Sequence, residues 1–213
     1  NRFLRSGARG FEERDALELL LTYAVPRRDV HDTAVALLDR FGSLGSVLSQ
    51  SPDMLASVPG VGPASSVLIA LVPQLASMAL RPRRGERLDS SAGVREYIRK
   101  SLGLQRRERL VALLVDSSGR LLAERELEHG TVDRASVHPR NLVEKIVATN
   151  ATGVILVHNH PGGRPEPSSE DLALTARLCE LGRSLGFRVL DHLVATDAGV
   201  TSLRERGAFP HGC

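Results

Sequence analysis

The residues with the greatest chemical reach lie in HNHPGGRPEPSSED, positions 158–171. In an extended chain alternate side chains share a face, so His158 and His160 project together at the end of the apolar run GVILVHNH while Asn159 points away. Two imidazoles on one face can meet one metal ion. Catalytic zinc takes three protein ligands from His and carboxylate and leaves a further position for water, so a third ligand is required. Asp171 lies eleven residues past His160, and the intervening segment is stiffened by Pro161, Pro165 and Pro167. A loop of that kind can fold back and return the next helix to the histidines. His158, His160 and Asp171 therefore form a candidate metal triad.

Each member also has a plainer reading. Ser168-Ser169-Glu170-Asp171 fits the N-terminal capping pattern Ser-x-x-acid, in which an acidic side chain answers unpaired amides and the helix dipole. A lone histidine is more often a satisfied polar group than a ligand. The metal reading comes from the combination: two histidines in alternation at a strand end, a proline-stiffened loop and a carboxylate at a helix start.

The elements that must position these residues divide into two halves. At 213 residues and 42% hydrophobic content the chain can build two modest domains, each with its own core. Residues 12–80 carry helical patterns only, punctuated by Gly42 at a C-cap position, by Ser51-Pro52 as N-cap and first helical residue, and by Pro63 opening the next helix. Residues 1–80 are expected to form an all-α helical bundle. Residues 81–93, RPRRGERLDSSAG, are polar without apolar periodicity and are expected to be a linker. Residues 94–213 are expected to form an α/β domain with a mixed sheet: a short helix (VREYIRKSLG), a hairpin around Asp116-Ser117-Ser118-Gly119, the strand TGVILVHNH, the helix DLALTARLCELGRSLG ending at Gly186, and the strand FRVLDHLVAT.

Composition narrows the function classes. Aromatic residues make up 3% and Trp is absent, which argues against stacking platforms for single-stranded nucleic acid or sugars. The net charge of +3, carried almost wholly by Arg, permits nucleic acid without establishing it. Cys179 and Cys213 do not make a disulfide framework, so reduced thiols and a cytoplasmic setting are expected. No uninterrupted apolar run reaches the roughly 18 residues of a membrane span, and NRFLRSGARG contains no apolar signal core, so no membrane partner is expected.

HNHP, followed after six residues by Ser168-x-x-Asp171, resembles the JAMM/MPN+ metallopeptidase signature. The whole chain resembles the RadC family, in which a helix-hairpin-helix region precedes such a domain. The resemblance spans nearly all of residues 12–205 and includes EYIRKSLGLQRRERL, GTVDRASVHPR, HNHP with PSSED, and VLDHLV. It implies an MPN-type fold, zinc held by His158, His160 and Asp171, a serine at Ser168 that supports the oxyanion, and an upstream glutamate as general acid/base. Glu108, fifty positions before His158 and just ahead of the first long strand, is the residue that takes the glutamate's place. Its plain reading is an exposed charge in RRER, and Glu124, Glu126 and Glu128 on the hairpin are rival carboxylates. Such a site hydrolyses amides: zinc acidifies its water, the glutamate shuttles the proton, and a hydroxyl steadies the tetrahedral oxyanion. Gly162 and Asn141 depart from the family's HNHPSG and PRE. Neither is a presumed ligand, but both bear on the surroundings of the site. Asp191 and His192 read as support or strand-end hydrogen bonders, and Cys179 as a core residue.

Val58-Pro59-Gly60-Val61-Gly62-Pro63 resembles the hairpin of helix-hairpin-helix modules, in which glycines let backbone amides approach a phosphate without reading sequence. Gly60 and Gly62, with Arg81, Arg83 and Arg84, are candidate DNA contacts. The plain alternatives are a glycine-closed turn and a solvated charged face. Contiguous His-Asn-His is not the dispersed HNH nuclease motif, and the cysteine pair of zinc deaminases is missing from the sequence. The expected function is a zinc-dependent amide or isopeptide hydrolase acting on protein or peptide. The alternatives are a DNA-binding accessory protein with a structural metal, and a metal-dependent nuclease.

Overall fold

The computed structural model describes residues 2–88, 92–103, 108–129, 139–161, 163–210 and 213. The chain divides into two compact units, Asn1–Ala76 and Ser77–Cys213.

The first unit is helical: α1 (Arg2–Ser6), α2 (Glu13–Ala24), α3 (His31–Phe41), α4 (Leu44–Leu48), α5 (Pro52–Ala56) and most of α6 (Pro63–Leu80). The expected punctuation is in place. Ser51 Oγ accepts the Met54 amide with Pro52 at the first position of α5, and Gly42 ends α3 at φ +88°. Leu17, Leu21, Ala34, Leu37, Val47, Leu55 and Ile69 form its core. α6, with a mean hydropathy of 1.6, is long and apolar enough to cross a membrane by length and composition. No apolar run announced this in the sequence, because Ser65, Ser66, Pro73, Gln74 and Ser77 interrupt it. The same length and composition suit a core helix, and Ile69 and Ala70 are buried in this unit's core.

The second unit contains α7 (Ala92–Ile98) continued by a π turn (Arg99–Gly103), β1 (Arg109–Val115), β2 (Leu121–His129), α8 (Pro139–Thr149), β3 (Gly153–Asn159), α9 (Ser169–Leu185), β4 (Arg188–Ala195) and β5 (Val200–Ser202). The five strands form one mixed sheet in the order β2-β1-β3-β4-β5, parallel only between β3 and β4, with α9 as the crossover between those two. Alternation assigns the two faces. Val111, Leu113, Val115, Ile155 and Val157 pack with Tyr97, Ile98 and Leu102 on one side. Leu110, Ala112, Leu114, Val154 and Leu156 pack with Leu142 and Ile146 of α8 and Leu178 of α9 on the other. Both faces are covered, which is why β3 reads as a continuous apolar run.

Two expectations are corrected. The segment expected as a linker belongs in part to the second unit: Gly85 and Leu88 donate to the Leu121 and Gly119 carbonyls at 2.7 and 2.8 Å, and Leu121 donates to Glu86 O at 2.8 Å. It is an edge segment anchored by backbone hydrogen bonds and by Leu88, which packs into the core of that unit, so it needs no apolar period; residues 89–91 lie outside the described residues. Cys179 and Cys213, expected as separate thiols, are paired as a disulfide with Cα atoms 5.0 Å apart. Cys179 retains its expected core position beside Leu178. Finally, α8 and β5 had no counterpart in the sequence reading.

Candidate metal centre

β3 delivers His158 on its α9-facing side. Register with β1 sets Leu110 opposite His158, and register with β4 sets Val194 beside it. His160 follows one residue past the strand, its amide donating to Ala195 O at 2.9 Å, so the two rings stand with centroids 4.4 Å apart. Gly163 donates to the His160 carbonyl at 3.0 Å, and His160 Nδ1 donates to the Arg164 carbonyl at 2.8 Å. The loop thereby turns back to α9, as its prolines imply; Gly162 lies outside the described residues.

Asp171 caps α9 and also turns its carboxylate toward the two histidines. Its Oδ2 accepts the Ser168 amide at 2.7 Å and the Ser168 hydroxyl at 2.8 Å, and Ser168 Oγ accepts the Asp171 amide at 3.1 Å, a complete capping box. The same carboxylate faces the imidazoles: Oδ1 lies 3.5 Å from His158 Nε2 and Oδ2 lies 3.5 Å from His160 Nε2. Glu108 completes the group, with Oε1 3.4 Å from His158 Nε2. Its position ahead of β1 is fixed by Asn159, whose Oδ1 accepts the Arg109 amide at 2.8 Å. Two of the rival carboxylates are engaged elsewhere. Glu124 accepts the Tyr97 hydroxyl at 2.7 Å and pairs with Arg81, and Glu126 takes both arms of Arg109 at 2.5 and 2.7 Å. The Glu128 side chain lies outside the described residues.

Two residues outside the expected triad contribute. His192 of β4 is fully buried, with Nε2 3.3 Å from His158 Nδ1 and Nδ1 2.7 Å from Thr175 Oγ1 of α9. Its neighbour Asp191 serves a different purpose, accepting the Ser202 hydroxyl at 2.6 Å at the β5 corner. The sequence singles out the Asp191-His192 pair but carries no signal for Thr175 or Asn159.

The electrostatics follow from this crowding. Burial pushes the Asp171 carboxyl up, but His160, His158 and the Ser168 donors outweigh it and hold it below the ordinary carboxylate range. The contact with His158 likewise holds Glu108 low against partial desolvation, so it is ionised at neutral pH. The Asp171 contact raises His160, and burial, reinforced by His158, pushes His192 down to about 3. His158 Nε2 is buried without a hydrogen-bond partner. An orphaned buried nitrogen aimed at ionised carboxylates is costly unless something joins them. Two overlapping groups have ligand atoms close enough to share an ion: Glu108, His158 and His160; and His158, Asp171 and His192. The donor set of imidazole nitrogens and carboxylate oxygens suits zinc chemistry.

The candidate DNA contacts are less distinctive. Gly60 has φ +87° and a Cβ there would run into Thr33 Oγ1, so glycine is required by the turn itself. The Gly62 amide donates to Ser65 Oγ at 3.2 Å. Arg81 pairs with Glu124, while Arg83 and Arg84 are exposed.

The chain is similar to known proteins along most of its length. Residues 88–208 match the family model described as the RadC-like JAB domain, so the second unit has a JAMM/MPN-like fold. Three relatives extend the likeness over the whole chain. A UPF0758 protein of Methylibium petroleiphilum is 38% identical over 97% of this chain and 94% of its own length. A UPF0758 protein of Rhodobacter capsulatus is 37% identical over 97% of both, and one of Syntrophotalea carbinolica is 36% identical over 98% of this chain and 93% of its own. The chain belongs to the RadC family.

Proposed function

We propose that this protein is a zinc-dependent hydrolase of amide or isopeptide bonds in a protein or peptide substrate. The observation that carries the reading is the orphaned His158 Nε2, buried between the carboxylates of Glu108 and Asp171. His158, His160 and Asp171 would hold the metal. When bound, zinc supplies a Lewis acid that lowers the pKa of a coordinated water toward about 7.

The chain's own residues do the rest. Glu108, ionised, beside His158 and open to solvent, accepts the proton of the attacking water and returns it to the departing amine. Ser168 supports the carbonyl oxygen. Its hydroxyl is given to Asp171 Oδ2, but the Ser168 amide donates to the same oxygen at 2.7 Å, so the hydroxyl can turn to the oxyanion without stranding the carboxylate. Asp171 keeps His160 oriented, and Asn159 keeps Glu108 within reach.

The test is metal analysis of wild type and His160→Ala followed by peptidase assay of Glu108→Gln. Stoichiometric zinc in the wild type, its loss in His160→Ala, and retained zinc without cleavage in Glu108→Gln are expected. Zinc retained by His160→Ala, or undiminished cleavage by Glu108→Gln, overturns the mechanism. DNA association through residues 58–63 as a helix-hairpin-helix, with Arg81, Arg83 and Arg84, is a subordinate proposal, in which the Gly62 amide would have to leave Ser65 Oγ to meet a phosphate. Salt-sensitive DNA binding without peptide cleavage would favour an accessory protein, and DNA cleavage a nuclease. Action in the cytoplasm belongs to the same proposal.

A further inference from the structure

Thr175, His192 and His158 form a fully buried file running from α9 through β4 to β3, and ending at the orphaned Nε2. With both rings neutral, the file has two possible proton arrangements. In one, the Thr175 hydroxyl donates to the Asp171 carbonyl, His192 Nδ1–H donates to Thr175 Oγ1, and His158 Nδ1–H donates to His192 Nε2. His158 Nε2 then carries a free lone pair. In the other, every proton points the opposite way, and His158 Nε2 bears a hydrogen that no ligand site can use.

The distances decide between them. Thr175 Oγ1 lies 2.6 Å from the Asp171 carbonyl oxygen and 2.7 Å from His192 Nδ1. Two oxygens 2.6 Å apart with no proton between them repel, so the single hydroxyl proton must lie on the Asp171 side. Thr175 Oγ1 is therefore an acceptor toward His192, and the order of the remaining protons follows. His160 obeys the same rule by a separate route: a carbonyl can only accept, so its contact with Arg164 O fixes the proton on Nδ1 and turns Nε2 toward Asp171.

We infer that Thr175 and His192 are positioning residues that fix the tautomer of His158, so that the ring presents an unprotonated Nε2 to the metal. This rests on the proposed metal site and deepens it in one respect. It excludes His192 itself as a ligand, because His192 Nε2 is spent accepting from His158, and leaves His158, Asp171 and His160 facing one another. The carbonyl that orders the chain belongs to Asp171, so one residue both faces the ion through its side chain and sets a histidine tautomer through its backbone. Outer partners of this kind commonly change metal affinity by about 10–100-fold.

The experiment is proton–nitrogen correlation NMR of the imidazoles in the metal-free full chain, with zinc and cobalt titrations of wild type, Thr175→Val and Thr175→Ser. The expected result is the Nδ1–H tautomer for His158, His160 and His192 in the wild type. Thr175→Val should scramble the tautomers of His192 and His158 but not His160, and weaken metal binding roughly 10–100-fold, with Thr175→Ser restoring both. An Nε2–H tautomer at His158 in the wild type, or unchanged tautomers and affinity in a folded Thr175→Val, overturns the inference. The wild-type spectra need no variant to fold. A wild type that binds neither metal yet shows the Nδ1–H tautomers would overturn the metal reading and leave the proton order standing.

Discussion

Asn159 Oδ1 accepts the amide of Arg109 at 2.8 Å, a side chain standing in for the backbone where β3 runs out and β1 begins. The residue that precedes Arg109 is Glu108, so this bond sets where the proposed proton carrier enters the site. Asn159→Ala removes the acceptor from a buried position and leaves an amide unpaired, at a cost of about 1–3 kcal/mol. Zinc content should be unchanged, since no ligand is touched, while kcat of the proposed hydrolysis falls on the order of tenfold or more with little change in KM. Equal kcat in the two proteins would separate Asn159 from the position of Glu108.

Glu108 and the hairpin glutamates make a sharper comparison. Glu108→Gln should lower kcat on the order of 10²–10⁴-fold at full zinc occupancy. Glu126→Gln weakens an ion pair with Arg109 that is partly open to water, worth no more than about 1 kcal/mol, and should leave kcat within a few fold. Similar losses in both variants, measured as single-turnover rates on one peptide, would return the choice of glutamate to the open state in which the sequence leaves it.

What the sequence made legible was local. The alternation of β3 placed His158 and His160 together, the Ser-x-x-Asp pattern placed Asp171 at the start of α9, and Gly186 at φ +79° ends that helix as expected. What stayed hidden depends on register between strands far apart in sequence. That Leu110 faces His158, and so brings Glu108 to the imidazole, is a property of β1–β3 pairing. That His192 reaches His158 depends on the parallel β3–β4 pairing, and Thr175 enters only because α9 crosses between those strands. α8 leaves little mark because only Leu142 and Ile146 of it are fully buried, with Val143 partly so, too short a period to stand out. Residues 83–88 escaped because backbone hydrogen bonding leaves no mark on hydrophobic pattern.

Cys179 and Cys213 have Cα atoms 5.0 Å apart, inside the span a disulfide needs without backbone movement. Purified under reducing conditions the chain should titrate two thiols. Oxidised glutathione should then convert them to an intramolecular bridge by thiol–disulfide exchange, releasing two reduced glutathione molecules. With a separation of 34 residues, the bridge should raise stability in chemical denaturation by about 3–4 kcal/mol over the dithiol form. Glutathione adducts that never resolve to a bridge would show that the two sulfurs do not meet.

The buried histidine file also makes a pH prediction for the metal-free chain. His192 is depressed to about 3 by burial and by His158, whereas in the unfolded chain it titrates near ~6.5. Between those values the unfolded state holds a proton that the folded state refuses, so stability rises with pH across the window and is lost as pH falls through it. His160, raised by Asp171, acts with the opposite sign: its contribution is present below the unfolded value and fades as pH rises past the folded one. Asp171, held low, contributes above an unfolded value of about 3.9 and loses that contribution only in stronger acid. Comparison with His192→Gln isolates the first of these. From about pH 7.5 to about pH 5 the wild type should lose ~2 kcal/mol more than the variant in denaturant titrations with chelator present, whatever the variant's absolute stability. Parallel losses in the two proteins would mean that His192 is not held neutral by its surroundings, and that water reaches the space between α9 and β4.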